Sequence, residues 1–580
     1  MYSSLLVTAS RYSYLVLVSL FVFSSSANAA NHSKVTPALA PGEYQVACSN
    51  LAHDENAMNQ IGGLVEDFWE GNPQNGQLRY LTQILAEPQA AIQFNLQVPD
   101  DRGLYRHFAG DTLPFVSLVC YPTSPANTRA DYRLPDGSWI PRMERSGDAP
   151  IFPNSATQYP LVLYSHGMGG SPVKDDYLSA ILNLASHGYV VLAVFHGDAR
   201  VVRLRIDSLG EVAYMLLNFD RYFELQSLRP LALKRALDDL LTRPGYSTQI
   251  DVGKIGGLGA SLGGQALMLS MGAHLTRSFS PLAARAVEQD PRIKAAAGYV
   301  PYFGVRQLPA FGNDQSGVDF VTRPYLAISG TADTTAPLLM TQQAMNRMQG
   351  SRYLVALEGI EHTYLPEYAD DVFTWVITFL DAYVKDDRQA LSRLIKMQSV
   401  AGGLGDSLRI DYTAPTPLAA AEALISEHFY TPLQQFFAAA NDAERAFADP
   451  AAGWIRSGNE FKALAAPKSI LGINSQPVCR FFATAPLTPS LFYTESPAEC
   501  DYLRANGQAW NYLGTVFHAW LPSPAGDCPD GTIGVYRLYN NGWQPPRLQP
   551  NHRYTTSVSG AADMVRLGWS NEGMRFCVPL

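Results

Sequence analysis

The sequence predicts an α/β domain built on a doubly wound, mostly parallel sheet, followed by a smaller β-rich module of three repeats. Three observations predict this. Between about residues 159 and 385, near-continuous apolar strands alternate with amphipathic helical segments. Beyond residue 419 an aromatic pattern recurs three times. At 580 residues the chain exceeds the roughly 250–300 residues at which a single core stops growing.

The α/β reading rests on its elements taken in order. "YPLVLYSHG" is a buried strand ending in a glycine turn, "YLSAILNLASHG" has helical spacing, and "YVVLAVFHGD" is a second buried strand. In "LALKRALDDLL", Leu233, Ala236, Leu237, Leu240 and Leu241 share one helical face. Then come "KIGGLGAS", a helix from Leu262, "KAAAGYVPY", "PYLAISG", a helix from Pro337, "RYLVALEG" and the helix "VFTWVITFLDAYV". Strands apolar along their whole length are covered on both faces, as in a parallel sheet. Right-handed crossovers then bring the strand C-termini to one edge, where such sheets hold their chemistry.

Outside that core the pattern weakens. Residues 30–158 are irregular, but "EYQVACSN" and "FVSLVCYPT" are strand-like and are expected to add antiparallel strands. Pro415 and Pro417 end the pattern after "LRIDYTAPTP", so the α/β domain is set at 30–418 and the C-terminal module at 419–580. Residues 1–29 read as a signal peptide: Arg11, the apolar "YLVLVSLFVF", then small residues in "SSSANAA". The apolar run is too short to span a bilayer comfortably, and no later stretch is long and apolar enough to do so. The expected location is secreted or periplasmic.

Charge and cysteine usage narrow the function further. The net charge of −9 argues against nucleic acid or an anionic membrane as the main partner. Six cysteines in an oxidising compartment point to disulfides. Cys48 and Cys120 form one early pair; Cys479, Cys500, Cys528 and Cys577 supply two more, with their connectivity open. No CxxC pair occurs and no histidine stands at ligand spacing beside the cysteines, so disulfides are expected rather than a zinc site. The serine chemistry that the sequence suggests needs neither metal nor cofactor.

In the tail, "EHFYT" (427–431), "SLFYT" (490–494) and "NHRYT" (551–555) are each followed by a tryptophan–glycine–phenylalanine group. These groups are Trp454, Gly458 and Phe461; Trp510, Gly514 and Phe517; Trp569, Gly573 and Phe576. The last two units also share an opening strand, "PVCRFF" and "GVYRLY". A spacing of about sixty residues means one structural unit used three times. Fixed aromatics most simply build a shared core. The alternative is a repeated aromatic surface for an insoluble polymer or cell-wall ligand.

The chemistry centres on Gly259-Ala260-Ser261-Leu262-Gly263, which follows a strand and opens a helix. That context suits a nucleophile held on a sharp turn. A serine hydroxyl needs a base, and a histidine base needs an orienting carboxylate, in the chain order Ser, acid, His. His362 follows the strand "RYLVALEG", and Asp333 ends the preceding strand in "ISGTADTTAP". Glu361 is the runner-up acid, and Asp333 is also a turn former before Pro337. The amide of Leu262 and one from "YSHGMGG", Met168 with Gly169 close behind, are the expected oxyanion donors. His166 reads as a scaffold residue, and His196 and Asp198 as cleft-lining or loop-ordering groups. Segments 199–228 and 273–290, rich in Leu, Tyr and Phe, are candidate walls or a small lid; they equally suit plain packing on the sheet.

These pieces resemble the α/β-hydrolase fold. Within it, "YSHGMGG", "LASHGYVVLAV", "IGGLGASLGG", "ISGTADTTAP" and "GIEHTYLP" look like the secreted serine esterases of the dienelactone hydrolase, platelet-activating-factor acetylhydrolase and bacterial cutinase (polyester hydrolase) groups. The resemblance covers about residues 160–385. It implies a Ser261–Asp333–His362 triad with Met168 and Leu262 as oxyanion donors. Ala260 stands where those families often have a histidine, which loosens the subfamily assignment. The repeats are similar to an uncharacterised module found behind secreted bacterial hydrolases. The expected activity is carboxylic ester hydrolysis through an acyl-enzyme, on a lipid, polyester or small ester. A serine peptidase of the same fold, or a polymer- or wall-binding protein whose repeats carry the main function, are the alternatives.

Overall fold

The computed structural model describes residues 35–61, 80–202, 218–278, 282–364, 366–397, 399–400, 408–410, 422–448, 452–470, 472–507, 509–543 and 549–580. The expected signal peptide lies outside them. No helix among the described residues is long and apolar enough to cross a membrane.

The main sheet has ten strands. In chain order they are β1 (Gln45–Cys48), β2 (Ile92–Gln97), β3 (Thr112–Thr123), β4 (Tyr159–Ser165), β5 (Val190–Phe195), β6 (Ile250–Ala260), β7 (Ile293–Tyr299), β8 (Tyr325–Gly330), β9 (Arg352–Leu357) and β10 (Leu408–Ile410). Their spatial order is β10-β9-β8-β7-β6-β4-β5-β3-β1, with β2 also paired to β3. Strands β4 to β9 pair in parallel, while β3 and β10 add antiparallel pairings at the two sides. Every residue of β5 and β8 is buried, the signature of strands covered on both faces. The covering helices are α1 (Asp175–Ser186), α2 (Phe219–Leu240), α3 (Leu262–Ser270), α4 (Leu338–Arg347) and α5 (Ala369–Tyr383).

The two cysteine-bearing segments do join the sheet. Cys48 of β1 and Cys120 of β3 lie directly opposite in the antiparallel register and are disulfide-bonded. Strand β10 extends the sheet just ahead of the expected boundary at Pro415 and Pro417. The chain goes from β4 outward to β5, then back past β4 to β6. That reversal opens a crevice beyond the C-terminal ends of β4 and β6.

The C-terminal module runs β11 (Glu422–Tyr430), β12 (Gln435–Ala439), α6 (Asp442–Phe447), β13 (Trp454–Leu464); β14 (Gln476–Ala483), β15 (Ser490–Thr494), α7 (Pro497–Asn506), β16 (Trp510–Ala519); β17 (Thr532–Tyr539), β18 (His552–Thr555), α8 (Val558–Arg566), β19 (Ser570–Pro579). Gly458, Gly514 and Gly573 all have positive φ, near 82°, 103° and 86°, where a side chain would be strained. Phe461, Phe517 and Phe576 meet in one buried cluster, with ring centroids 5.6 to 6.4 Å apart. The remaining disulfides join Cys479 to Cys500 and Cys528 to Cys577.

One sequence correspondence fails. "EHFYT" ends β11, the first strand of its group, whereas "SLFYT" and "HRYT" are the second strands β15 and β18. The strand ahead of α6, in the place of β15 and β18, is "QFFAA". Similar aromatic spelling in two neighbouring strands of a hairpin caused the slip.

The module meets the α/β domain through Asp563 of α8, which accepts from Ser351 Oγ at 3.0 Å and Tyr383 OH at 2.7 Å. Truncating one of the three central rings, Phe576→Ala, is expected to cost about 3–5 kcal/mol by loss of transfer energy and an unfilled cavity. Denaturant unfolding followed by tryptophan fluorescence checks it; a loss below about 1 kcal/mol would deny these rings a central place in the core.

Candidate active site

Ser261 sits between β6 and α3 with φ 50° and ψ −116°, a conformation a non-glycine residue holds only when its surroundings impose it. The imposing contacts are visible. Ser261 donates its amide to Tyr299 O at 2.9 Å, and its carbonyl accepts from Gly264 N at 3.0 Å and Tyr302 N at 3.0 Å. Two glycines make the turn feasible. A Cβ on Gly263 would fall 1.8 Å from Ser165 O, and one on Gly259 would fall 2.3 Å from the Gly263 carbonyl carbon. The first turn of α3 is therefore pressed against the ends of both β4 and β6.

Asp333 follows β8 and His362 follows β9. His362 Nε2 lies 3.0 Å from Ser261 Oγ, and its Nδ1 lies 2.7 Å from Asp333 Oδ2. The Asp333 side chain is fully buried, while that of His362 is 23% exposed, so the imidazole stands at the crevice mouth. Asp333 also fills its turn-forming role: Oδ1 accepts from Thr335 N at 2.9 Å and Ala336 N at 2.7 Å. One oxygen fixes the loop and the other faces the ring. Tyr299 OH donates to Thr363 O at 2.6 Å and holds the histidine loop to β7. Glu361 is exposed and is not the partner of the imidazole.

The loop after β4 is supported from beneath by a buried ion pair that sequence reasoning missed. Arg229, on α2, is paired with Asp198; their side chains are 1% and 0% exposed. The guanidinium also donates to His166 O at 2.5 Å and Gly167 O at 3.0 Å. Asp198 Oδ2 accepts from Gly169 N at 2.9 Å, and Gly170 N donates to Gly167 O at 3.3 Å. The amides of Gly169 and Gly170 are thus occupied. Among the described residues, the amides of Met168 and Leu262 have no acceptor. Leu262 is the first residue of α3, where helix geometry leaves the N–H free. Nothing in the sequence singles out Arg229, since the same helix also carries Asp220, Arg221, Glu224, Lys234 and Arg235.

His166 and His196 complete the support. Ser165 Oγ lies 2.9 Å from His196 Nε2, and His196 N donates to His166 Nε2 at 3.2 Å. Burial, then the nearby Arg229 charge, pushes the His166 pKa down to about 4. The same two causes, in that order, put His196 well below its usual value. Both rings are neutral at pH 7. His274, by contrast, stacks on Phe320 at 3.9 Å, on a separate hairpin. Beside Met168, Phe219, Tyr222 and Phe223 of α2 form an apolar cluster joined by Leu308. Residues 203–217, part of the segment expected to wall the site, lie outside the described residues.

Two outcomes follow from this support. Asp198→Ala leaves the Arg229 charge buried and unpaired and is expected to cost about 3–5 kcal/mol, read from urea unfolding; a neutral effect would contradict the buried pair. Histidines held neutral by folding give stability that is present above their unfolded pKa, about 6.5, and lost as pH falls toward 4. Thermal midpoints measured from pH 7 down to 4.5 should therefore drop, and His166→Asn should flatten part of that fall.

Comparison with known families gives two matches. Residues 141–203, spanning β4, the loop after it and β5, match the family model described as platelet-activating factor acetylhydrolase, isoform II. Residues 422–579 match a domain of unknown function, DUF5648. A search of the curated proteins found no match. The first match supports a lipase- or esterase-type hydrolase on an α/β scaffold, and the second a separate C-terminal module.

Proposed function

We propose that the protein is an exported serine hydrolase of carboxylic esters, with Ser261 as nucleophile, His362 as base and Asp333 as its orienting carboxylate. The observation that carries this is the unbroken hydrogen-bond line from Asp333 through His362 to Ser261, three residues from three strand ends. His362 Nε2 takes the Ser261 proton as Oγ attacks the ester carbonyl. Asp333 holds Nδ1–H, fixes the tautomer and stabilises the imidazolium. The unoccupied amides of Met168 and Leu262 receive the developing oxyanion. Because Gly169 N is taken by Asp198, Met168 is the better donor of the two. His362 then protonates the leaving alcohol, and water releases the acid by the reverse sequence.

The apolar cluster against Met168 favours a hydrophobic acyl group or polymer over a small polar ester. The three disulfides favour a location outside the cytoplasm, secreted or periplasmic. The three strand–strand–helix–strand groups of the tail are read as copies of one unit.

A p-nitrophenyl ester series of rising chain length tests the activity. Ser261→Ala should lower kcat by about 10⁴-fold or more, and Asp333→Asn by about 10⁴-fold. A fluorophosphonate probe should label the wild type and leave Ser261→Ala unlabelled. Equal rates in wild type and Ser261→Ala would overturn the reading.

A further inference from the structure

In sequence, the connections between the paired strands β11–β12, β14–β15 and β17–β18 cover residues 431–434, 484–489 and 540–551, of which 544–548 lie outside the described residues. The longest carries Trp543, which is 49% exposed. Extended loops on a rigid scaffold are where binding residues concentrate. The Trp543 ring is parallel to that of Trp510, with 5° between planes and centroids 6.5 Å apart. Both line a cavity of about 550 Å³ where the second and third strand groups meet. Among the described residues the counterparts of Trp510 pack differently: Trp454 on Tyr430, Phe437 and Phe447, and Trp569 on Phe436.

Beside Phe492, Leu503 and Pro550, the cavity wall also carries charged and polar groups. Arg537, 5% exposed, pairs with Glu499 at 3.0 Å and Glu572 at 2.6 Å, each carboxylate about a third exposed. His552 is 9% exposed, lines the cavity and stacks on Tyr539 at 4.8 Å. Its Nδ1 has no hydrogen-bond partner among the described residues. Burial, then the Arg537 charge, pushes its pKa down to about 3. The ring is thus neutral and keeps an unused polar atom.

We propose that this cavity binds a pyranose ring of a neutral polysaccharide. The C–H face of a pyranose is apolar and faintly positive, and matches the negative face of an indole. Two carboxylates sharing one guanidinium keep lone pairs for hydroxyl donors. Their excess negative charge disfavours phosphates and other anions. The Arg537 guanidinium, 4.8 Å over the Phe492 ring, disfavours a quaternary ammonium, the other ligand of aromatic cages. A wholly apolar polymer would desolvate the Glu499 and Glu572 carboxylates, each about a third exposed, without return. The inference rests on the cavity and is independent of the ester-hydrolase reading.

The test uses the full chain. Tryptophan fluorescence is titrated with cellohexaose, xylohexaose and chitohexaose, with choline chloride as control. Retention on cellulose, xylan, chitin and a poly(3-hydroxybutyrate) film is measured alongside. At least one sugar should bind, and Trp543→Ala and Tyr502→Ala should each weaken it about tenfold. Tyr502 lines the same cavity and is 64% exposed, so neither change removes a core residue. Trp543→Ala should keep the wild-type thermal midpoint and p-nitrophenyl ester rate, and Ser261→Ala should bind sugar as the wild type does. Binding to none of the three sugars, equal binding by both variants and wild type, or preference for choline or the polyester film would overturn the proposal.

Discussion

The close approach of the first turn of α3 to the ends of β4 and β6 is the constraint on which the site depends. No side chain fits at Gly263, because the Ser165 carbonyl occupies that space. The helix can sit there only if the chain reverses sharply at Ser261, and the positive φ of that residue is the result. The same approach brings the loop after β4 alongside the serine. Strain at one residue is thus sustained by packing over three elements rather than by any contact of its own side chain.

Charge is used inside this molecule to fix geometry more than to add stability. Burying a pair such as Arg229 and Asp198 costs much of what their attraction returns, yet it determines which amides of the 166–170 loop are spent. The C-terminal module uses the same device between its strand groups. Arg480 of β14 pairs with Glu444 of α6, and Arg537 of β17 pairs with Glu499 of α7. Between the third and first groups the polarity is reversed: Gly560 takes the glutamate's place in α8, and Arg553 of β18 pairs with Glu427 of β11. The ring of contacts closes with exchanged partners.

The sheet and the three candidate catalytic residues were legible because each lies where a buried apolar strand stops, and such endings are conspicuous in sequence. Asp333 and His362 needed only chain order and scarcity to stand out. Arg229 was not legible, since a charged residue in a helix reads as solvent-facing until the fold turns it inward. The hairpin slip at "EHFYT" had a different origin: both strands of that hairpin are aromatic, and a short motif does not say which strand bears it. Trp543 was invisible for the opposite reason, as it belongs to no recurring pattern.

Strand β1 has four residues, few hydrogen bonds with which to hold itself in place. It covers the outer side of β3 at Cys120 through Thr123, and the bond from Cys48 clamps it there across 72 residues of chain. Under reducing conditions that cover would lose its covalent clamp and rest on its ladder and on the buried side chains of Val46, Ala47 and Cys48. The firmness of that edge is thereby tied to the redox state of one cysteine pair, so reduction should loosen the border of the sheet before its centre.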